Sequence, residues 1–154
     1  MQQYDSTADT LKHIKRVSQL LNLAAIDLIN RGNIHDNSKL LPPEKNEFDR
    51  LTPILKDLEF GSEEYKDSLK ELEFALQHHY DNNTHHPQHY GERGINGMNL
   101  FDIMEMLLDW KAATERTKNG NIKHSLHINS DRFQIDEQLS DILMNTINYL
   151  GWRE

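Results

Sequence analysis

The chain has 154 residues, 36% hydrophobic and 27% charged, with a net charge of −8 and no cysteine. That size suits one domain able to bury a core unaided. The missing cysteines exclude disulfides and thiolate-held metals, and the negative charge argues against a protein that coats duplex nucleic acid through its phosphates. A small phosphorylated ligand is still compatible, because a bound divalent cation can offset carboxylates locally.

Apolar residues at Leu11, Ile14, Val17, Leu20, Leu21, Ala24, Ala25, Leu28 and Ile29 recur at helical spacing. They predict a first helix, capped by Asp9 or Thr10 and ended by Gly32. A turn, NIHDNSKLLPPE, follows, and Pro42-Pro43 introduce a second helix, EKNEFDRLTPIL, with a break expected near Pro53. The stretch SEEYKDSLKELEFALQHHY predicts a third helix with Leu69, Leu72, Leu76 and His79 on one face. DNNTHHPQHYGERGING is loop by composition. MNLFDIMEMLLDWKAATERTKNG predicts a long helix ending at Gly120, IKHSLHINSDRF an irregular or short extended piece, and DEQLSDILMNTINYLGW a closing amphipathic helix. Strand signals are weak, so the expected fold is all-α, a compact bundle of about five to seven helices in a single domain over residues 1–154. No run of eighteen apolar residues and no signal-peptide pattern is seen, which points to a cytoplasmic protein without membrane contact.

Five of the nine histidines fall between Gln77 and Tyr90, in QHHYDNNTHHPQHY. His35-Asp36 is a second concentration of ligand chemistry, since imidazole and carboxylate together suit zinc, manganese or iron(II). Two ligands do not make a site. His13, near the apolar stripe of the first helix, and Asp109, a carboxylate in the apolar run EMLLDWKAA, complete a four-ligand set. Each has a simpler reading. His35-Asp36 can be a helix cap, His13 a histidine bonded to a carbonyl, and Asp109 a partner of Lys111 or Arg116 in a buried salt bridge. The histidine run can be a solvated loop or an adventitious metal binder. Its position around a helix end favours ligands, with His79 and His85 first, then His86, then His78; His89 is read as positioning the loop or a substrate.

The order His…His-Asp…Asp resembles the HD superfamily of metal-dependent phosphohydrolases. HDNSK is similar to the HD-x-x-K form of its two-metal members, which carry extra histidines between the pair and the last aspartate. The phrases HD-x-SK, HH…N-x-HH and EM-x-x-DWKAA-x-x-R also resemble a small uncharacterised phage and bacterial family with HD-like features, over most of the chain.

The resemblance implies an HD-like helical domain holding one or two divalent ions (manganese, iron, zinc, cobalt or nickel) on His13, His35, Asp36, Asp109 and some of His78, His79, His85 and His86. It implies Asp36 as a bridging carboxylate and Lys39 as a charge on a substrate phosphate. Arg116, seven residues after Asp109, is a candidate phosphate clamp, and Glu105, four before it, can orient a ligand histidine. The implied activity is hydrolysis of a small phosphorylated substrate, most simply a nucleotide, by metal-activated water. A phosphodiesterase of a cyclic or oligonucleotide signal, and a non-catalytic metal-containing protein that binds a nucleotide or a host protein, are the other readings. Exposed parts of the long helices offer a surface for a homodimer.

Overall fold

A computed structural model of the protein describes residues 4–58, 62–116 and 118–152; the Leu69 side chain lies outside that description. The described residues form seven α-helices and two 3-10 segments, with no strand among them, so the fold is all-α. The chain divides into two compact units, residues 1–35 and 36–154.

The first unit is one helix, α1 (Thr7–Ile34). Being a lone helix, it has no interior of its own. It starts earlier than the cap residues predicted, after Ser6, and runs through Gly32 to a C-cap at His35. Glycine inside a helix costs only about 1 kcal/mol relative to alanine, and the neighbouring turns carry the helix past it.

The second unit opens at Asp36 and a 3-10 turn, Asn37–Leu40. Helix α2 spans Glu44–Asp57 and continues through Pro53 rather than breaking there. The hydrogen bond that proline removes would have gone to the carbonyl of Asp49, an exposed residue, so water can satisfy that group. The predicted third helix is two, α3 (Glu63–Glu71) and α4 (Glu73–Asn82), meeting at Leu72. Leu72 is buried against Leu51 of α2 and Ala75 of α4, with Phe48, Leu55 and Leu76 around them.

After α4 the chain forms a 3-10 segment, Pro87–Gly97, which turns at Gly91 (φ 56°) and Gly94 (φ 46°), both in the left-handed region glycine tolerates. Helix α5 (Leu100–Glu115) begins at a capping box. The Asn99 side chain accepts from the Asp102 amide, and the Asp102 side chain accepts from the Asn99 amide. The helix stops at Arg116, short of Gly120.

IKHSLHINSDRF is helix α6 (Ile122–Phe133), which corrects the irregular or extended reading. Asn121 caps it by accepting from the His124 amide at 3.0 Å, and Ile122 and Leu126, one turn apart, are both buried. Helix α7 (Glu137–Tyr149) is capped by Asp136. The α5–α6–α7 core gathers Leu107, Ile122, Leu126, Leu143 and Ile147, with Trp110, Leu139 and Trp152 packed against it. Each such side chain contributes about 1.5–3 kcal/mol when fully buried. The second unit thus has two cores, one on α2 and α4 and one on α5, α6 and α7. No helix among the described residues is long and apolar enough to cross a membrane.

Candidate metal centre

Asp36 has φ 57° and ψ 13°, a left-handed backbone adopted by only one other described non-glycine residue, Gln134. Aspartate enters this region more easily than most side chains, and such positions concentrate at functional sites. The two carboxylate oxygens of Asp36 do different jobs. Oδ2 accepts from Lys39 Nζ at 2.6 Å. Oδ1, which is buried, lies 3.2 Å from His79 Nε2 and 3.5 Å from His85 Nε2.

Helix α4 delivers His79 and the turn after it delivers His85 and His86. His79 is 1% exposed and His85 2%. His79 Nε2 and His86 Nε2 are 2.8 Å apart. The far side of each of two rings meets an acid. His79 Nδ1 donates to Glu44 Oε2 at 2.9 Å, and His85 Nδ1 lies 3.2 Å from Glu105 Oε1. A carboxylate on Nδ1 holds the proton there and turns the Nε2 lone pair inward. Asp36 Oδ1 and the Nε2 atoms of His79 and His85 thereby become three acceptors pointing at one another.

Acceptors do not gather like this without a shared proton or a cation. Asp36, His79, His85 and His86 each offer a ligand atom within 4.8 Å of the others. A cation bonded at about 2.1 Å would space tetrahedral ligands roughly 3.4 Å apart. The separations of 2.8, 3.2 and 3.5 Å fall around that spacing. The donor set, nitrogen and oxygen without sulfur, fits a borderline divalent ion. The cluster is therefore one that could hold a metal. Burial pushes the His86 imidazole down to about 3, with the neighbouring His85 and His79 pushing the same way and Asp109 and Asp36 opposing. His86 is thus kept neutral, the form that binds a metal.

The remaining expected residues fall as follows. An oxygen of Asp109, on α5, comes within 4.8 Å of one of Asp36. Glu105, one turn earlier, faces His85. His78 points away from the cluster, with its side chain 37% exposed and Nδ1 2.7 Å from Glu44 Oε1. Lys39 is engaged with Asp36 itself. Arg116 is exposed at the C-cap of α5. Seven helical residues carry it roughly 10 Å along the axis from Asp109. His89 Nδ1 donates to the Tyr80 carbonyl at 2.8 Å and so braces the loop. His13 lies on α1 and His35 caps it, both in the first unit. His124 and His127 are exposed on α6.

Two further buried acids support the site, neither of them among its expected residues. Glu44 is fully buried and accepts from His78, His79 and Ser38. It follows two prolines, where an acid reads as an ordinary helix start. Asp102 is 1% exposed and accepts from Thr84 at 2.7 Å, Tyr90 at 2.8 Å and the Asn99 amide at 2.9 Å. It ties the histidine loop to the start of α5. The S/T/D/N-x-x-D spacing of Asn99 and Asp102 was the available signal.

Comparisons with curated proteins and with solved structures gave no match. A family model described as "Family of unknown function (DUF5662)" matches residues 2–149. Nearly the whole chain is spanned, helices and histidine cluster together, and the protein belongs to the DUF5662 family.

Proposed function

We propose that the protein is a metal-dependent phosphohydrolase of the HD type, acting on a small phosphorylated substrate, most simply a nucleotide. The observation that carries this reading is the convergence of Asp36 Oδ1 with Nε2 of His79, His85 and His86, two of the rings backed by carboxylates. The nearby Asp109 carboxylate adds an anionic ligand beside Asp36, which favours room for a second ion. Manganese, iron, zinc, cobalt and nickel all suit these donors.

A bound divalent cation supplies Lewis acidity toward a phosphoryl group and toward water. The chain's own residues do the rest. Glu44 and Glu105 fix the tautomers of His79 and His85, so that both rings offer Nε2. Lys39 holds Oδ2 of Asp36 and leaves Oδ1 for the cluster. It also adds positive charge beside a site that must receive phosphate.

A second reading is a non-catalytic metal protein. Four ligands already fill a tetrahedral sphere, which is the habit of structural sites. Phosphate release from a panel of nucleoside mono- and triphosphates and phosphodiesters, each with each metal, separates the two. The hydrolase reading expects turnover with at least one pair and its loss in Asp36→Ala. No turnover anywhere, with a bound metal and intact folding, would leave the non-catalytic reading.

A further inference from the structure

A cavity of about 260 Å³ opens beside the cluster, with His86 and Asp109 forming part of its wall. Its other walls carry three aromatic rings, beside the polar side chains of Gln88, Ser125, Asn129 and Arg132. Trp110 of α5 and Phe133 of α6 lie nearly parallel, 4° apart with centroids 6.2 Å apart, and Tyr80 of α4 closes another side. The Arg132 guanidinium sits over the Phe133 ring at 4.8 Å. Gln88 also lines the cavity, and its Oε1 is buried with no hydrogen-bond partner among the described residues.

These features describe an occupant. Flat aromatic walls favour a planar group. The volume is below the roughly 300–1,000 Å³ of sites that take drug-sized ligands, so one ring system fits better than a linked pair. A buried carbonyl oxygen without a donor is costly, and a ligand N–H or O–H relieves that cost. Since His86 belongs to both cavity and cluster, and Asp109 lines the cavity while lying close to Asp36, an occupant here is placed next to a phosphoryl group held at the cluster.

We infer that this cavity receives the part of the substrate that is not phosphate, a planar heterocycle of the nucleobase class bearing a hydrogen-bond donor, and that Gln88 selects for that donor. The inference rests on the phosphohydrolase reading for what occupies the cluster, but binding in the cavity is measured separately. A site that hydrogen-bonds a ligand group rejects the analogue lacking it far more strongly than an apolar pocket rejects a changed methylene.

The test is quenching of tryptophan fluorescence in the full chain, titrated with adenosine, guanosine, cytidine and uridine. Purine riboside serves as a purine nucleoside without an exocyclic amino group. Saturable quenching by at least one of the four is expected, lost in Trp110→Phe, where Trp152 remains as the internal reference. Gln88→Leu is expected to weaken that binding about tenfold or more. If adenosine is the ligand, purine riboside should bind about tenfold more weakly. Ala113→Leu narrows the cavity from an exposed position on α5 and should block binding even if Gln88→Leu fails to fold. No saturable quenching by any nucleoside, or equal affinity in both variants, overturns the inference. If that happens while Asp36→Ala still abolishes phosphate release, the hydrolase reading stands without the pocket. Nucleoside binding without phosphate release from any nucleotide would sink the hydrolase reading and leave the pocket.

Discussion

His79 Nδ1 meets Glu44 Oε2 at 2.9 Å, with both side chains closed off from solvent. That contact decides which nitrogen of the ring faces Asp36. Glu44→Gln keeps the shape but supplies a weaker, neutral partner, and when its amide nitrogen faces the ring it no longer accepts the proton. Metal affinity is expected to fall about 10–100-fold. Competition with a fluorescent chelator measures it, and unchanged affinity would show that Glu44 is merely structural.

Metal removal should show in thermal melting. A ligand that binds only the folded state at a hundred times its dissociation constant stabilises it by about 2.7 kcal/mol. For a chain of this size the corresponding fall in Tm on chelation is roughly 5–10 °C. Asp36→Asn should melt at one temperature with or without chelator.

The metal-free protein should weaken in acid. His86 sits at about 3 in the folded chain, against about 6.5 when unfolded. Between those values the unfolded state binds the extra proton, so stability falls as pH falls. Its contribution is fully present above about pH 6.5 and declines by up to about 1.4 kcal/mol per pH unit toward pH 3. Urea unfolding at several pH values reads the slope. His86→Asn should shallow it by close to one proton, and an unchanged slope would place the acid sensitivity elsewhere.

Gly97 approaches Tyr90 so closely that an added Cβ would lie 2.5 Å from the tyrosine Cβ. Gly97→Ala should push Tyr90 off Asp102, costing about 1–3 kcal/mol through overpacking. Loss of metal affinity should accompany it, because the displaced loop carries His85 and His86. Gly32→Ala, inside α1 with nothing within 4 Å, should instead stabilise by up to about 1 kcal/mol and leave metal affinity unchanged.

Much of the secondary structure was legible because apolar spacing is a local property. Leu107 in α5 and Leu143 and Ile147 in α7 recur at helical steps and are buried in one core. Helix α6 was not legible in the same way. Lys123, His124, Ser125, His127 and Asn129 dilute its apolar face, and only the Asn121 cap betrays it. Within the site, residue chemistry drew attention to Asp36 and the histidines, and the four-residue step to Asp109 drew attention to Glu105. Glu44, Gln88 and Arg132 carry no local mark. Their significance comes from packing among α2, α4, α5 and α6, and no window of sequence contains it.

Asp102 joins two structures that chain order keeps apart. One carboxylate accepts from Thr84, just ahead of His85, from Tyr90 beyond it, and from the Asn99 amide at the start of α5. Fraying of the first helical turn therefore releases the loop, and release of the loop unfastens the turn. Amide hydrogens at the start of α5 and in the histidine loop should exchange with solvent as one cooperative unit, with a shared opening free energy.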